Sequence, residues 1–528
     1  MEHHHFRPFH TNHPPKRRHD VDMTQGNVVR HLILFALPLL MGNLFQQLYN
    51  TVDTWVVGNY VSNEAFSAVG TVGPIINMLI GTFIGLSNGA GVVISQYYGA
   101  QQHDKVQDAV HTSILMTLIL SVAFTATGIS MIPFMLDLMN MPAAVIPEAT
   151  TYLTIYFSGI LGLMLYNMGS GILRAVGDSQ RPFHYLVVAA LLNVVLDLLF
   201  VIVFDLGVAG VAYATILSQG VSALLTFITL YRTNSCVQFR PLNLRLHLPL
   251  LRSIIGVGIP AALQVAITSF SNVFVQSYIN HFDTDCMSGW TAYSKLDQLI
   301  ILPMQSISLA ATTFVGQNLG KNQVERARTG SHIACLLSLG ITSVMLFIVV
   351  PTAPHLVYFL NQKPEVVEYG TLFLRHIAPC FLLCCPNQVY AASLRGAGNS
   401  RTPMLAMLFS FVFFRQAYLY VMANYISNTV LPIAMGYPPA GWYAAPLSWS
   451  TMRGLTCLKT GSSKKPPDFL KRGANRPIRS SFLLSSKGDN LCCYTLLKGP
   501  VVFHKQHGGG KILQKLLDLH PGVDVDII

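Results

Sequence analysis

Long apolar runs, broken by short polar stretches, set the pattern of this chain. They recur over residues 30–57, 66–95, 109–136, 146–173, 183–205, 208–232, 249–280, 288–315, 330–352, 366–393 and 403–426. Each offers the ~20 apolar residues that a helix needs to cross a bilayer. Eleven membrane-spanning helices are therefore predicted, and the fold class that follows is an all-α polytopic membrane protein.

The polar positions inside these runs carry the candidate chemistry. Ala190–Phe204 in the fifth run is apolar except for Asn193 and Asp197. Four residues is about one helical turn, so the two share a face. A carboxylate at membrane depth costs several kcal/mol unless it meets protein, water or a partner, which predicts a working role for Asp197. Packing against Asn193 is the plainer alternative. In the first run Gln46, Asn50 and Asp53 fall at i, i+4 and i+7, again one face. Two carboxylates in a low-dielectric cavity cannot both ionise cheaply, and they titrate as a coupled unit. Such a pair suits proton uptake. With the oxygens of Asn193 and Thr215 it would equally make a hard-cation cage for sodium, so both ions stay open. Pro38 supplies a weak point at which the first helix could bend.

Charge adds orientation. Lys and Arg collect after runs two, four, six, eight and ten, and are absent after one, three, five and seven; Lys363 alone follows run nine. By the positive-inside rule the N-terminus and the even loops are cytoplasmic. Charged residues make up 11% of the 528 residues, against about 25% in soluble domains. The net charge is +11, of which +8 lies in residues 451–528, so nucleic-acid binding does not follow from it. The nine cysteines form no paired framework and no CxxC motif. No cleavable signal peptide is read at the N-terminus. His3, His4 and His5 belong to a polar tail with no fixed ligand geometry.

The chain repeats itself. Leu173-Arg-Ala-Val-Gly177-Asp-Ser179-Gln-Arg-Pro182 matches Leu394-Arg-Gly-Ala-Gly398-Asn-Ser400-Arg-Thr-Pro403, and Gln96-Tyr-Tyr-Gly99 matches Gln317-Asn-Leu-Gly320, both at an offset of 221. Pro38 and Asn50 match Pro260 and Asn272 at 222. Two parallel six-helix lobes around a cleft are expected. The domains read as a polar tail (1–26), a first lobe (27–232), a basic linker (233–248), a second lobe (249–450) and a basic tail (451–528). The acids do not repeat: Asp53 maps to Val275 and Asp197 to Tyr418. That points to the first lobe as the ion-handling half.

Through Tyr49-Asn-Thr-Val-Asp53-Thr-Trp-Val-Val-Gly58, the two L-R-x-x-G-[DN]-S-x-x-P loops and Asn193-x-x-x-Asp197, residues 27–442 resemble the multidrug and toxic compound extrusion family, in its DinF-like prokaryotic branch. The resemblance implies twelve helices in two V-arranged lobes. It implies export of organic, often cationic, compounds against inward protons or sodium, with no cofactor and no enzymatic step. It places Gln46, Asp53, Asn193, Asp197 and Thr215 in the ion-coupling network, and Tyr152 and Asn167 beside it for substrate; a further family amide stands here as Ser170. Other branches keep an acid beyond the span-seven proline. Here Gln264, Thr268 and Ser269 follow Pro260 instead. Gln264 and Asp297 are the second-lobe candidates for substrate contact, Asp297 also lying beside Lys295. Met78, Met164, Phe270 and Met304 are cavity candidates by position, with ordinary packing the better reading. Gly81, Gly85 and Gly89 read as a close-packing ladder. Arg375 and Arg415 read as snorkelling or paired. Partners expected are small organic molecules and the lipid bilayer, with the chain a monomer in the bacterial inner membrane.

The ending departs from this pattern. Near Gly441 a twelfth helix is due, but Pro446 and Arg453 leave too short an apolar run. The last helix is expected to be incomplete or replaced, and the tail to be foreign to the family, as a frameshift would give. A native basic tail behind a distorted helix is the rival. Gly508-Gly-Gly-Lys511 lacks the spacing of a phosphate loop. Helical period returns only over 512–519. The rival functions are a lipid-linked saccharide flippase, a transport-impaired product, a scaffold, and an intramembrane enzyme, for which no HExxH motif is present; Gly85-Leu-Ser87-Asn-Gly89 has the letters of GxSxG but lies inside an apolar run and not on a strand-to-helix turn.

Overall fold

The computed structural model describes residues 21–436, apart from 62, 140 and 427–428, together with 482–483, 501–503 and 525–527. These fall in two units, 1–462 and 463–528.

The first unit is helical: α1 (Val28–Tyr60), α2 (Asn63–Gly99), α3 (His103–Leu138), α4 (Ile146–Ser158), α5 (Ile160–Ala175), α6 (Gln180–Leu198), α7 (Gly207–Arg232), α8 (Leu248–Ile279), α9 (Thr284–Gly320), α10 (Val324–Leu360), α11 (Pro364–Ile377), α12 (Phe381–Gly396), α13 (Arg401–Leu408), α14 (Arg415–Val421) and the short α15 (Val430–Ala434). Among the described residues ten helical stretches are long and apolar enough to cross a membrane, and α4 with α5, bent by 47°, makes an eleventh. The eleven apolar runs coincide with these helical stretches, the bent pair taken as one. The protein is a multi-pass membrane protein.

The repeated loop motif has a physical reason in both lobes. Gly177 and Gly398 adopt φ +88° and +86°, the left-handed conformation that ends a helix. Behind them Asp178 N–H donates to Leu173 O (3.1 Å) and Asn399 N–H to Leu394 O (2.9 Å). The same Asp and Asn then start the next helix. Asp178 Oδ1 accepts from the Gln180 and Arg181 amides, and Asn399 Oδ1 from the Thr402 amide. Seven or so residues thus turn the chain back into the membrane, twice.

Packing divides the helices into two lobes. In the first, α1 lies on α6, α2 on α5, and α7 on α4, α5 and α6; in the second, α9 packs on α10, α11 and α12, and α8 on α13. The seam between them is made by α2 with α8 and by α9 with α1 and α2. The glycine ladder belongs to this seam. A Cβ on Gly81, Gly85 or Gly89 would overlap Val265, Ala262 or Gly258 of α8. The linker is tied down by α3: Arg240 N–H donates to His111 Nε2 (3.1 Å) and His247 N–H to Thr112 Oγ1 (3.2 Å).

Among the described residues of the first unit, a π-helical turn (Met422–Ile426) and α15 follow α14, the five residues of α15 packing on α8 and α11. The expected defective helix near 441–453 and the periodic stretch 512–519 lie outside the described residues. In the second unit β1 (Phe482–Leu483), β2 (Val501–Phe503) and β3 (Val525–Ile527) form a parallel sheet in that order. An all-helical reading did not anticipate them. Strands of two or three residues are too short for an alternating pattern to show in sequence.

Candidate functional site

Asp53 stands about seven turns into α1 and Asp197 near the end of α6, the two helices that pack together in the first lobe. Their carboxyl groups face each other within hydrogen-bonding reach. Asp197 is fully buried, and neither of its oxygens has a donor; Asp53 Oδ1 has none either. Two carboxylates cannot donate to each other, so one proton between them would satisfy both. The α-helical pattern breaks just past Asp197: residues Leu199–Val203 form a π-turn, a feature that recurs at functional sites and re-aims the side chains around it.

Asn193 lies one turn before Asp197, is 2% exposed, and has no partner for either its amide nitrogen or its oxygen. An uncommitted amide at membrane depth is costly unless something is to be bound there. Tyrosines close the site. Tyr49 and Tyr152 interact electrostatically with Asp53, and Tyr152 also with Asp197. The Tyr152 and Tyr156 rings stack at 6.2 Å and 20°. Gln46 lies near Tyr49, and Gln219 of α7 near Tyr156. Tyr49 and Tyr156 were not singled out from the sequence as site residues. The signal was available, because each stands four residues from a residue that was, Asp53 or Tyr152.

The other expected residues are committed elsewhere. Thr215 donates to Val211 O in its own helix (2.9 Å), leaving only its lone pairs for a cation. Asn167 Nδ2 donates to Leu163 O (2.9 Å), while its backbone carbonyl accepts from Ser87 Oγ (2.6 Å). In the second lobe Gln264 accepts from Arg395 Nη1 (2.9 Å), so that span-seven position is held by an amide–guanidinium contact. Asp297 is buried and accepts from Tyr293 OH at 3.3 Å, while Lys295 is exposed. Arg375 is exposed, whereas Arg415 is fully buried. Arg415 Nη1 donates to Asn272 Oδ1 (2.8 Å) and Ser271 Oγ (3.2 Å), and its guanidinium lies over Phe411 at 5.6 Å. Met164 is part of the first-lobe core, and Met304 is buried too. The side chains of Met78 and Phe270 lie outside the described residues. No group of three or more His, Cys, Asp or Glu suited to a metal occurs among the described residues.

Comparison with known proteins follows the same geography. The family model described as MatE matches twice, over residues 38–199 and 260–421, one match per lobe. A Bacillus subtilis protein named a probable multidrug resistance protein, YpnP, is 30% identical over 415 residues, covering 79% of this chain and 93% of its own. A Shewanella oneidensis protein named FAD transporter is 22% identical over 371 residues, 69% of this chain and 81% of its own. A solved structure titled as the outward-facing conformation of a multidrug resistance MATE family transporter of the MOP superfamily superposes with a TM-score of 0.80 at 23% identity, covering 84% of this chain and 99% of that one.

Proposed function

This chain belongs to the MatE family, and on that premise we propose that it is a secondary active antiporter that exports organic compounds in exchange for inward protons or sodium. The observation that carries the reading is the Asp53–Asp197 pair between α1 and α6, with Asp197 fully buried and no donor on either of its oxygens. Both acids sit in one lobe and have no counterpart in the other. With the pair ionised, mutual repulsion keeps α1 and α6 from their tightest packing. A proton between them, or a sodium ion held with Asn193 and Thr215, removes that repulsion. α1 then repacks about Pro38, which interrupts its hydrogen-bond ladder. That movement alters the cleft between the lobes, so ion entry and cargo release become one step.

The basic loops would face the cytoplasm, in the inner membrane of a bacterium, with the chain acting as a monomer. The names of the relatives offer two cargo classes, drugs and a flavin nucleotide. Ethidium and flavin export from cells expressing the chain test both, beside Asp53→Asn and Asp197→Asn, with the proton gradient collapsed or sodium omitted in turn. Loss of export in both mutants, and with one ion alone removed, is the expected result and names the ion. Export that survives both mutations would move coupling out of the first lobe, with Asp297 next to examine.

A further inference from the structure

The ends of α2 and α9 that carry the basic loops meet across the seam in a reciprocal pattern. Gln96 Nε2 donates to Gly396 O (2.9 Å), and Gln317 Nε2 donates to Ala175 O (2.9 Å). Gln96 and Gln317 are equivalent positions of the repeat, and so are Ala175 and Gly396, all at the offset of 221. Each lobe's glutamine therefore caps the last turn of the other lobe's L-R-x-x-G helix, where backbone carbonyls have no partner of their own. The glycines one turn on complete the pattern. A Cβ on Gly99 would strike Gln317 O, and one on Gly320 would strike Gln96 O. Backbones approach this closely only because both positions are glycine.

The segment before α1 crosses the same seam. Val21 N–H donates to Val176 O of the first lobe (3.1 Å). Two residues on, Met23 N–H donates to Gln317 Oε1 (2.9 Å), and Met23 O accepts from Asn318 Nδ2 (3.3 Å) and Arg326 Nη2 (3.2 Å). Lys321 Nζ donates to Thr24 Oγ1 (2.9 Å). Met23 is 1% exposed, and Gln317 and Asn318 are fully buried. Both amide ends of Gln317 are thus used, one for the first lobe's helix end and one for the segment before α1.

We propose that Gln96 and Gln317 are paired latch residues that hold the lobes closed at the basic end, with residues 21–24 as a strap across the latch, and that cargo enters from that end only when both glutamines let go. These are positioning residues: they touch neither ion nor cargo. The proposal rests on the transport reading for its purpose, but its test does not need a cargo. Side-chain amides on backbone carbonyls are worth about 1 kcal/mol net each, so losing one raises the open-to-closed ratio about fivefold. Spin labels placed through an encoded keto residue at the exposed positions Lys105 and Glu325, at the starts of α3 and α10, report that ratio as a distance distribution in the full chain in liposomes. Gln96→Ala is expected to enrich the long-distance population about fivefold, and Gln96→Ala with Gln317→Ala still more. Gln96→Glu keeps the side chain's shape but turns a carboxylate to Gly396 O. It is expected to open the gate like the alanine, and it serves if the alanine variants do not fold. Unchanged distances in Gln96→Glu and in folded Gln96→Ala would overturn the latch. Shifted distances in a chain that exports neither dye nor flavin would leave the latch standing and remove the transport reading.

Discussion

Asp53 and Asp197 reach toward each other from α1 and α6, and neither oxygen of Asp197 finds a donor in the protein. If the pair works as a unit, its members are not additive. Asp53→Asn and Asp197→Asn are each expected to lower gradient-driven export at least tenfold, a loss of about 1.4 kcal/mol or more from the coupled step. The double mutant should be little worse than either single one. Initial efflux rates from everted vesicles measure this, and two independent tenfold losses that multiply would speak against a shared site.

The α2–α8 seam should tolerate no added carbon. Gly89→Ala drives its Cβ into Gly258 and the Ile254 carbonyl, both backbone, which cannot move aside cheaply. Overpacking of this kind costs ~1–3 kcal/mol. Gly340→Ala on α10 meets nothing within 4 Å and should instead gain ~0.5–1 kcal/mol of helix stability. Melting in detergent compares the two, and a Gly89→Ala protein as stable as Gly340→Ala would show that the seam is looser than described.

Arg415 is expected to act as a strut of the second lobe. Its bonds to Asn272 and Ser271 are charge-assisted and buried, a class worth ~1.5–3 kcal/mol. Arg415→Lys cannot reproduce the planar fork or the stacking on Phe411. A lower melting temperature with the Asp53–Asp197 titration unmoved is the expected outcome; a changed ion dependence would instead give Arg415 a part in coupling.

Lys363, in the loop between α10 and α11, donates to Asp285 at 2.6 Å. That hydrogen bond raises Lys363 above its ordinary value of 10.5. A raised cation stabilises the folded state fully below its ordinary value and loses that contribution as pH climbs through the raised one. Melting curves from pH 6 to 9 should therefore be the same for the parent chain and Lys363→Gln to within the small effect of an exposed pair. A difference that grows toward neutral pH would assign the loop a different partner.

The spans, the repeat and the first-lobe acids were legible because a membrane imposes strong local rules. A span must be long and apolar, and an acid inside it is conspicuous. Asn193 and Asp197 stood out on one helix for that reason, and their partner Asp53 lay within a motif. The commitments of Thr215, Asn167 and Gln264 were not legible. A hydroxyl bonded to its own helix and an amide bonded to a guanidinium 131 positions away look the same in sequence as free ones. The burial of Arg415 was hidden as well, since it depends on α8 presenting Ser271 and Asn272 to it. The short strands after residue 480 escaped because nothing periodic announces a three-residue strand.

The paired contacts of Gln96 with Gly396 and Gln317 with Ala175 have one more consequence. They are what a symmetric dimer of six-helix ancestors would make about its twofold axis, each copy gripping the other by the same residues. Within one chain the grip is shared and the rest is free to differ: one half carries Asp53 and Asp197 and the other Arg415, with no need for both to match. Kinship between the halves thus survives where they hold on to each other, and division of labour begins where they do not.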